Sequence, residues 1–411
     1  MALITHERHE SSEEQPNSTQ PDLARARAII SSTIDSLNDP LHSLNKAIHS
    51  RPELGYEEVF AHDTLTAFLT EHGFAVTRHA HGLSTSFSAE AGAGGRLVVF
   101  CAEYDALPGI GHGCGHNLIA TASAAAFAAA ARALSDLGVA GRVRILGTPA
   151  EEGGGGKARL IEAGAFPAAA AGTEGGGGDG DGVSAAIMSH ALPLGQIREG
   201  WAGTAGFRST ASRRLGVEFH GKNAHAGQEP WNGVNALDAA VGAYAAVSML
   251  RQQIRPEERV QGVIEDGGKV PNIIPDYTRM AWAVRSPEVS SVDALFERPP
   301  YMELRVNATL CNAYIEEMKG LGQDVLFMDD KPSAAGTDMG NVSHVVPSFH
   351  GIFGVPTDPG VAVHSREFAS AASTAEAHRA ALESAKGMAM LGIRVLAETG
   401  LADRAKDDFD G

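Results

Sequence analysis

EYDALPGIGHGCGHN, residues 103–117, sets carboxylates, histidines and a cysteine in one glycine-rich connection. Before it stands an apolar run, Leu97 to Cys101, and after it an Ala-rich, helix-favouring run, Leu118 to Leu137. An unbroken apolar run of that kind reads as a buried parallel strand, so the arrangement is strand, loop, helix. Open α/β sheets collect ligands at the carboxyl ends of their strands. Cys114 and His116, two residues apart, can reach one metal ion, and the flanking glycines let the backbone bend closely around it. A solvated loop accounts for the same residues taken alone, so the choice rests on the rest of the chain.

Two further apolar segments alternate with helical patterns, Val143 to Gly147 and Ala185 to Ser189. That rhythm predicts an α/β domain with a mostly parallel sheet. Each segment ends in metal-binding types: the first leads to Cys114 and His116, the second to Glu151-Glu152, the third to His190. Three such strand ends are hard to attribute to chance. The glycine-rich run 172–182 has no Lys-Ser/Thr after it and opens no helix, so it reads as a surface loop rather than a phosphate loop.

The chain has 411 residues and a formal net charge of -17, with no basic block to offset it, which argues against nucleic acid or an anionic membrane as partner. Its 43% hydrophobic content is enough for a sizeable core. Three cysteines, Cys101, Cys114 and Cys311, are too scattered for a disulfide framework and point to a reducing compartment. The N-terminal stretch is polar and no apolar run is expected to be long enough to span a bilayer, so the expectation is a cytoplasmic protein.

Residues 1–20 read as a disordered tail. Helical patterns follow from Pro21 to Leu37, Leu41 to His49 and Glu57 to Glu71, with His49 and His62 read as structural, His62 on a helix surface. After Phe207 the texture changes. Arg214 to Gly221 alternates as a strand, Val234 to Arg251 is an amphipathic helix, and Val260 to Ile264, Thr278 to Val284 and Val292 to Phe296 read as strand, strand and helix. That order suits a split βαβ unit inserted into the larger domain. The expected division is 21–206 with 312–411 as a catalytic, metal-binding domain and 207–311 as an inserted lid or dimerisation domain.

Cys114, His116, Glu152, His190 and His364 together form a donor set suited to Zn²⁺ and neighbouring divalent ions. Five donors exceed the usual four of a structural zinc, which suggests two adjacent ions or one with an open position. Neighbouring side chains at a strand end point different ways. One of Glu151 and Glu152 can therefore hold metal while the other faces a metal-activated water.

The blocks DALP (105–108), GCGHN (113–117), PAEEG (149–153), NAHA (223–226) and HSREF (364–368) resemble the metal-dependent aminoacylase/carboxypeptidase family, in particular its indole-acetyl-amino-acid hydrolase and β-alanyl-lysine dipeptidase branch. They occur in family order from about Leu41 onward. The resemblance implies a two-domain α/β metallopeptidase fold with a ferredoxin-like insert, a small dipeptide or N-acyl-amino-acid substrate, and a homodimer through the insert. It implies metal ligands at Cys114, His116, Glu152, His190 and His364, with one or two ions, zinc first and manganese, cobalt or nickel also suited. Glu151 becomes the general base, Asp105 the residue that orients a ligand, and His225 an oxyanion stabiliser, often from a partner subunit. Asn272 and Arg285 would grip the substrate's amide and carboxylate, and Glu103 would support the site from behind. The family pattern continues past residue 298 with a longer helix and a fourth strand. Here about two dozen residues are missing at 298–299, on the scale of one helix plus one strand.

The leading expectation is therefore a metal-dependent amidohydrolase. A non-catalytic metal-binding homologue with a shortened lid, and a cysteine nucleophile at Cys114, are the alternatives. His350, Phe349 and Phe353 are candidates for an acyl pocket, against the commoner role of such aromatics in a core.

Overall fold

A computed structural model of the chain describes residues 22–168, 182–287, 301–329 and 335–411. The expectations for residues 1–20, nearly all of the run 172–182, the helix over 292–296 and the junction at 298–299 fall outside them.

The apolar run 97–101 does become a strand buried on both faces. Its alternation decides what covers it: Val98, Phe100 and Ala102 join one core cluster, while Leu97, Val99 and Cys101 join another. Around it lie β1 (Val76–Arg78), β2 (Phe87–Ala93), β3 itself (Leu97–Ala102), β4 (Gly141–Gly147), β5 (Val183–Pro193) and β6 (Gly203–Thr204). An inserted unit supplies β7 (Ala211–His220), β8 (Arg259–Asp266) and β9 (Tyr277–Ser286), and the chain returns for β10 (Val325–Leu326) and β11 (Ser348–Val355). The main sheet runs β1-β2-β4-β3-β5-β11-β6-β10. Its centre, β4-β3-β5-β11, is parallel, and antiparallel pairs flank it. The expected α/β class is the one the chain adopts.

Helices α1 (Leu23–Ser36), α2 (Asn38–Ser50), α3 (Val59–Glu71) and α4 (His116–Leu137) precede α5 (Gly156–Glu162), α6 (Ala236–Leu250), α7 (Ala308–Gly320), α8 (Met339–Ser343), α9 (Arg366–Ala371), α10 (Ala375–Ala397) and α11 (Thr399–Asp410). The Ala-rich α4 packs against α1, α2 and α10 over one face of the sheet, small side chains permitting close approach. By length and composition this 22-residue helix is long and apolar enough to cross a membrane, which corrects the expectation that no run is long enough. Most of that apolar surface is buried inside the fold. The other face is covered near α5 and α8 by Leu160, Met339 and Val342.

Several local readings change. The strand expected to stop at Ser189 continues to Pro193, because β11 pairs with it from Ala186 to Pro193, so His190 lies within a strand rather than after one. His62 is buried rather than on the helix surface, stacked against His79 and bonded to Asp63. Phe349 and Phe353 are core residues. The inserted unit is antiparallel, ordered β7-β9-β8, with α6 on one face. Its described residues supply three strands and one helix.

The loop after β4 is held from a distance. Ala150 stands in the left-handed region at φ 58, one residue before Glu151. Its amide donates to the carboxylate of Glu58, a fully buried residue that precedes α3. Burial pushes the Glu58 carboxyl from an ordinary 4.5 up to about 7. A carboxyl raised in this way favours the fold while protonated, and that contribution is lost as pH rises through the folded value. Glu58→Gln, which stays neutral, should therefore melt with the wild type near pH 5 and above it at pH 8. Identical thermal melts at both pH values would show that the carboxyl ionises in the fold without cost.

Candidate metal centre and cavity

The quoted stretch folds so that its donors turn inward. Gly115 adopts φ 76, and a Cβ there would come within 3.0 Å of the Ala191 side chain. This turn starts α4 directly at His116, while Cys114 sits just before it, both buried. The Nδ1 of His116 lies 3.0 Å from an Asp105 oxygen. An imidazole that donates from Nδ1 keeps its Nε2 lone pair free for a cation. That Nε2 is buried and, among the described residues, has no hydrogen-bond partner.

The other donors arrive from separate elements. Glu151 and Glu152 follow β4, and His190 comes from β5 with its Nδ1 2.8 Å from the Ala191 carbonyl, leaving Nε2 3.5 Å from Cys114 Sγ. His364, at φ 62, donates its backbone N–H to Gly113 and sets its Nε2 3.6 Å from Glu152 Oε1. The Nε2 of His116 stands 3.9 Å from both Glu151 and Glu152 and 3.6 Å from Glu103. Three donor triads therefore form, Cys114/His116/His190, Cys114/Glu152/His364 and His116/Glu151/Glu152, each with its ligand atoms within 4.8 Å of one another.

The electrostatics of the donors suit a divalent cation. Burial, then Glu103 and Glu152, push the Glu151 carboxyl well above its usual range. Burial and Glu152 likewise raise the Cys114 thiol. Burial opposes charge on His116, but Asp105 and Cys114 outweigh it and raise its pKa. Burial also pulls His190 down to about 4, keeping it neutral as a ligand must be. A divalent ion would offset the repulsion among these groups and give a partner to the buried Nε2 of His116 and the buried Glu152 Oε1. The donor set fits such an ion.

Behind the donors lies an ion cluster that the sequence did not announce. Lys157 Nζ is fully buried 2.5 Å from Glu103 and 2.6 Å from Asp338. A lysine after a glycine run gives no local hint of carboxylates so distant in the chain. His112, not expected as a ligand, is buried with its Nε2 3.2 Å from the Ile48 carbonyl.

In front of the donors opens a cavity of about 490 Å³, walled by Cys114, Glu151, Glu152, His190 and His364 at the metal end. Arg285 lines it, as expected, and so does His350, a buried residue beside Phe207. His225 and Asn272 do not. They stand together, exposed, joined by the Ala226 N–H to Asn272 carbonyl bond. The reason is register: Arg285 pairs with Ser212 at one end of β7, whereas both residues lie beyond the opposite His220–Tyr277 end. At the usual antiparallel rise the two ends are about 27 Å apart. In this arrangement His225 and Asn272 stand away from the cavity that the same chain forms.

Comparison with known proteins agrees with this architecture. A mouse Xaa-Arg dipeptidase is 37% identical over 92% of this chain and 90% of its own length. The human Xaa-Arg dipeptidase is 35% identical over the same shares of the two chains, 92% and 90%. A p-aminobenzoyl-glutamate hydrolase chain of Escherichia coli is 31% identical over 61% of this chain and 52% of its own length. In fold, the chain is similar to a solved Bacillus subtilis structure described as a dinuclear metal binding peptidase from the M20 family, with TM-score 0.60, 21% identity, and coverage of 89% of this chain and 99% of that one. The model of Peptidase family M20/M25/M40 matches residues 99–386, which takes in every donor of the cluster, and with the extended similarity to the mouse enzyme it places this chain in that family of hydrolases.

Proposed function

We propose that the chain hydrolyses the amide bond of a dipeptide or an N-acyl-amino acid at the Cys114/His116/Glu152/His190/His364 centre. The observation that carries this reading is the position of Glu151. It is buried on the cavity wall beside those five donors, yet among the described residues no Lys or Arg takes its carboxylate in an ion pair. A bound divalent ion would supply Lewis acidity and lower the pKa of water at the site toward about 7. Glu151 would then take the water's proton and return it to the departing amine. Asp105 orients His116, Tyr301 donates its hydroxyl to the Glu151 carbonyl and steadies the loop, and Arg285 offers a bidentate partner to a substrate carboxylate. The thiolate and imidazole donors favour zinc, with manganese, cobalt or nickel as alternatives.

We further propose that residues 207–311 form a lid and that two copies pair through it. Large apolar side chains crowd its surface: Trp231, Val241, Met249, Leu250, Val263 and Ile264 are all exposed. The resemblance to dimeric family members gives this pairing a use, since a second copy could present His225 to the cavity. The three cysteines are free thiols, in keeping with a reducing cytoplasmic setting.

Glu151→Gln should lower kcat at least about a hundredfold while metal content, read by elemental analysis, stays at the wild-type level. Full activity in that variant would sink the assignment, and metal-replete wild type with no turnover on a broad panel would favour a non-catalytic homologue. Asp105→Asn should weaken metal affinity by about 10- to 100-fold in competition with a chelator. Light scattering should give twice the chain mass, and Met249→Glu with Leu250→Glu should return it to the monomer value.

A further inference from the structure

Arginines converge on the cavity of a chain whose net charge is -17. Arg159, Arg208, Arg213, Arg214 and Arg285 all line it. Among the described residues the carboxylates on the same wall are Glu151 and Glu152, which belong to the candidate metal cluster, and Asp329; Arg213, Arg285 and Asp329 each already have a partner. The described wall thus carries more guanidinium than carboxylate, which favours an anionic ligand.

Two of the arginines are placed by the inserted sheet. Arg285 of β9 stands opposite Ser212 of β7, and Arg214, two residues along, stands opposite Ala283. Directly paired residues share a face, so Arg214 and Arg285 are diagonal neighbours, about 7–8 Å apart at the backbone. The alternate face carries Leu215, Val217, Met280 and Trp282, packed with Tyr244 and Val247 of α6. The arginine face therefore turns from α6 toward the cavity. Burial, then the charge of Arg214, pull the Arg285 guanidinium below its usual value. Arg214 also lies over the loop that carries the paired glutamates: a Cβ on Gly153 would meet its Nη1 at 2.0 Å. Neither Arg208 nor Arg214 forms an ion pair with a described residue.

One carboxylate satisfies one guanidinium in a two-point contact. A substrate with a single carboxylate would occupy Arg285 and leave Arg214 beside it, repelled and without an anion among the described residues. We infer that the cavity takes an amide carrying two carboxylates, so that the amino acid released is an acidic one. Arg285 holds one carboxylate, and Arg214, with Arg208 at the rim, holds the other. This rests on the hydrolytic reading above and specifies its substrate class. It also separates this chain from the Xaa-Arg dipeptidases it is similar to, since a cationic side chain here would face Arg214 and Arg285.

The test uses the full chain loaded with zinc or manganese, and two acyl series, alanyl and benzoyl, each on glutamate, leucine and arginine. Hydrolysis of the glutamate member should exceed the leucine member by about tenfold or more in kcat/KM, the gain expected of one charge-assisted contact, with the arginine member slowest. Arg214→Asp should erase the glutamate preference and raise the arginine member, and Arg208→Gln should lower the glutamate member alone. A leucine or arginine preference in the wild type, or an unchanged order in Arg214→Asp, would overturn the inference. Calorimetric titration with free glutamate, leucine and arginine is the second measurement. If nothing is hydrolysed but glutamate binds tightest and loses that advantage in Arg214→Asp, the acidic specificity stands and the hydrolytic reading falls. Equal binding of the three amino acids overturns the specificity whatever the turnover. Should Arg214→Asp fail to fold by circular dichroism, Arg214→Gln replaces it, with loss of the glutamate advantage as the expected result and its retention as the contrary one.

Discussion

Asp105 joins the two halves of the centre. One of its oxygens lies 3.0 Å from His116 Nδ1, and the other accepts the Glu152 backbone N–H at 2.9 Å. The loop after β3 and the loop after β4 thus meet on a single buried carboxylate. The contact favours one tautomer of a candidate ligand imidazole and fixes the position of the paired glutamates at once. Burial alone would raise the Asp105 carboxyl, but His116 and the Glu152 and Glu151 amides outweigh it and hold it below the usual range. Asp105 therefore stays charged where its charge is needed.

A second buried cluster fixes what stands behind. Lys157 reaches Glu103 at the end of β3 and Asp338 just before α8, and its own backbone N–H donates to Asp338. Three ionised groups in a dry interior are costly unless each is closely paired. Here the pairing ties together the sheet, α5 and the segment 335–337 that walls the cavity. Glu103 turns its remaining oxygen, buried and without a hydrogen bond among the described residues, toward His116. Charge from the supporting layer thereby reaches the donor layer. Three arginines of the cavity wall, Arg213, Arg214 and Arg285, belong to another part of the chain, the inserted sheet, so the candidate metal donors and most of the wall's positive charge are placed by different elements.

Much of this was legible in the residues themselves. The run 97–101 announced a doubly covered strand, and residues 103–117 and 149–153 announced donors at strand ends, because apolar periodicity and ligand type are properties of short windows. The order β7, α6, β8, β9 was legible for the same reason, through alternation and an amphipathic helix. His190 was legible as a candidate donor although its place within β5 was not, since the strand's extent depends on pairing with β11 more than 150 residues away.

The sequence by itself determined the fold class, the candidate metal-ligand types and the loop that presents them, since each follows from spacing along the chain. Only the tertiary structure decided that Lys157 lies between Glu103 and Asp338, that Arg214 shares a face with Arg285, and that His225 and Asn272 stand away from the cavity. A lysine or arginine in isolation reads as surface, because its charge favours water. Which carboxylate or cavity it meets is set by strand register and by the layering of helices on the sheet, and those depend on residues far apart in the chain.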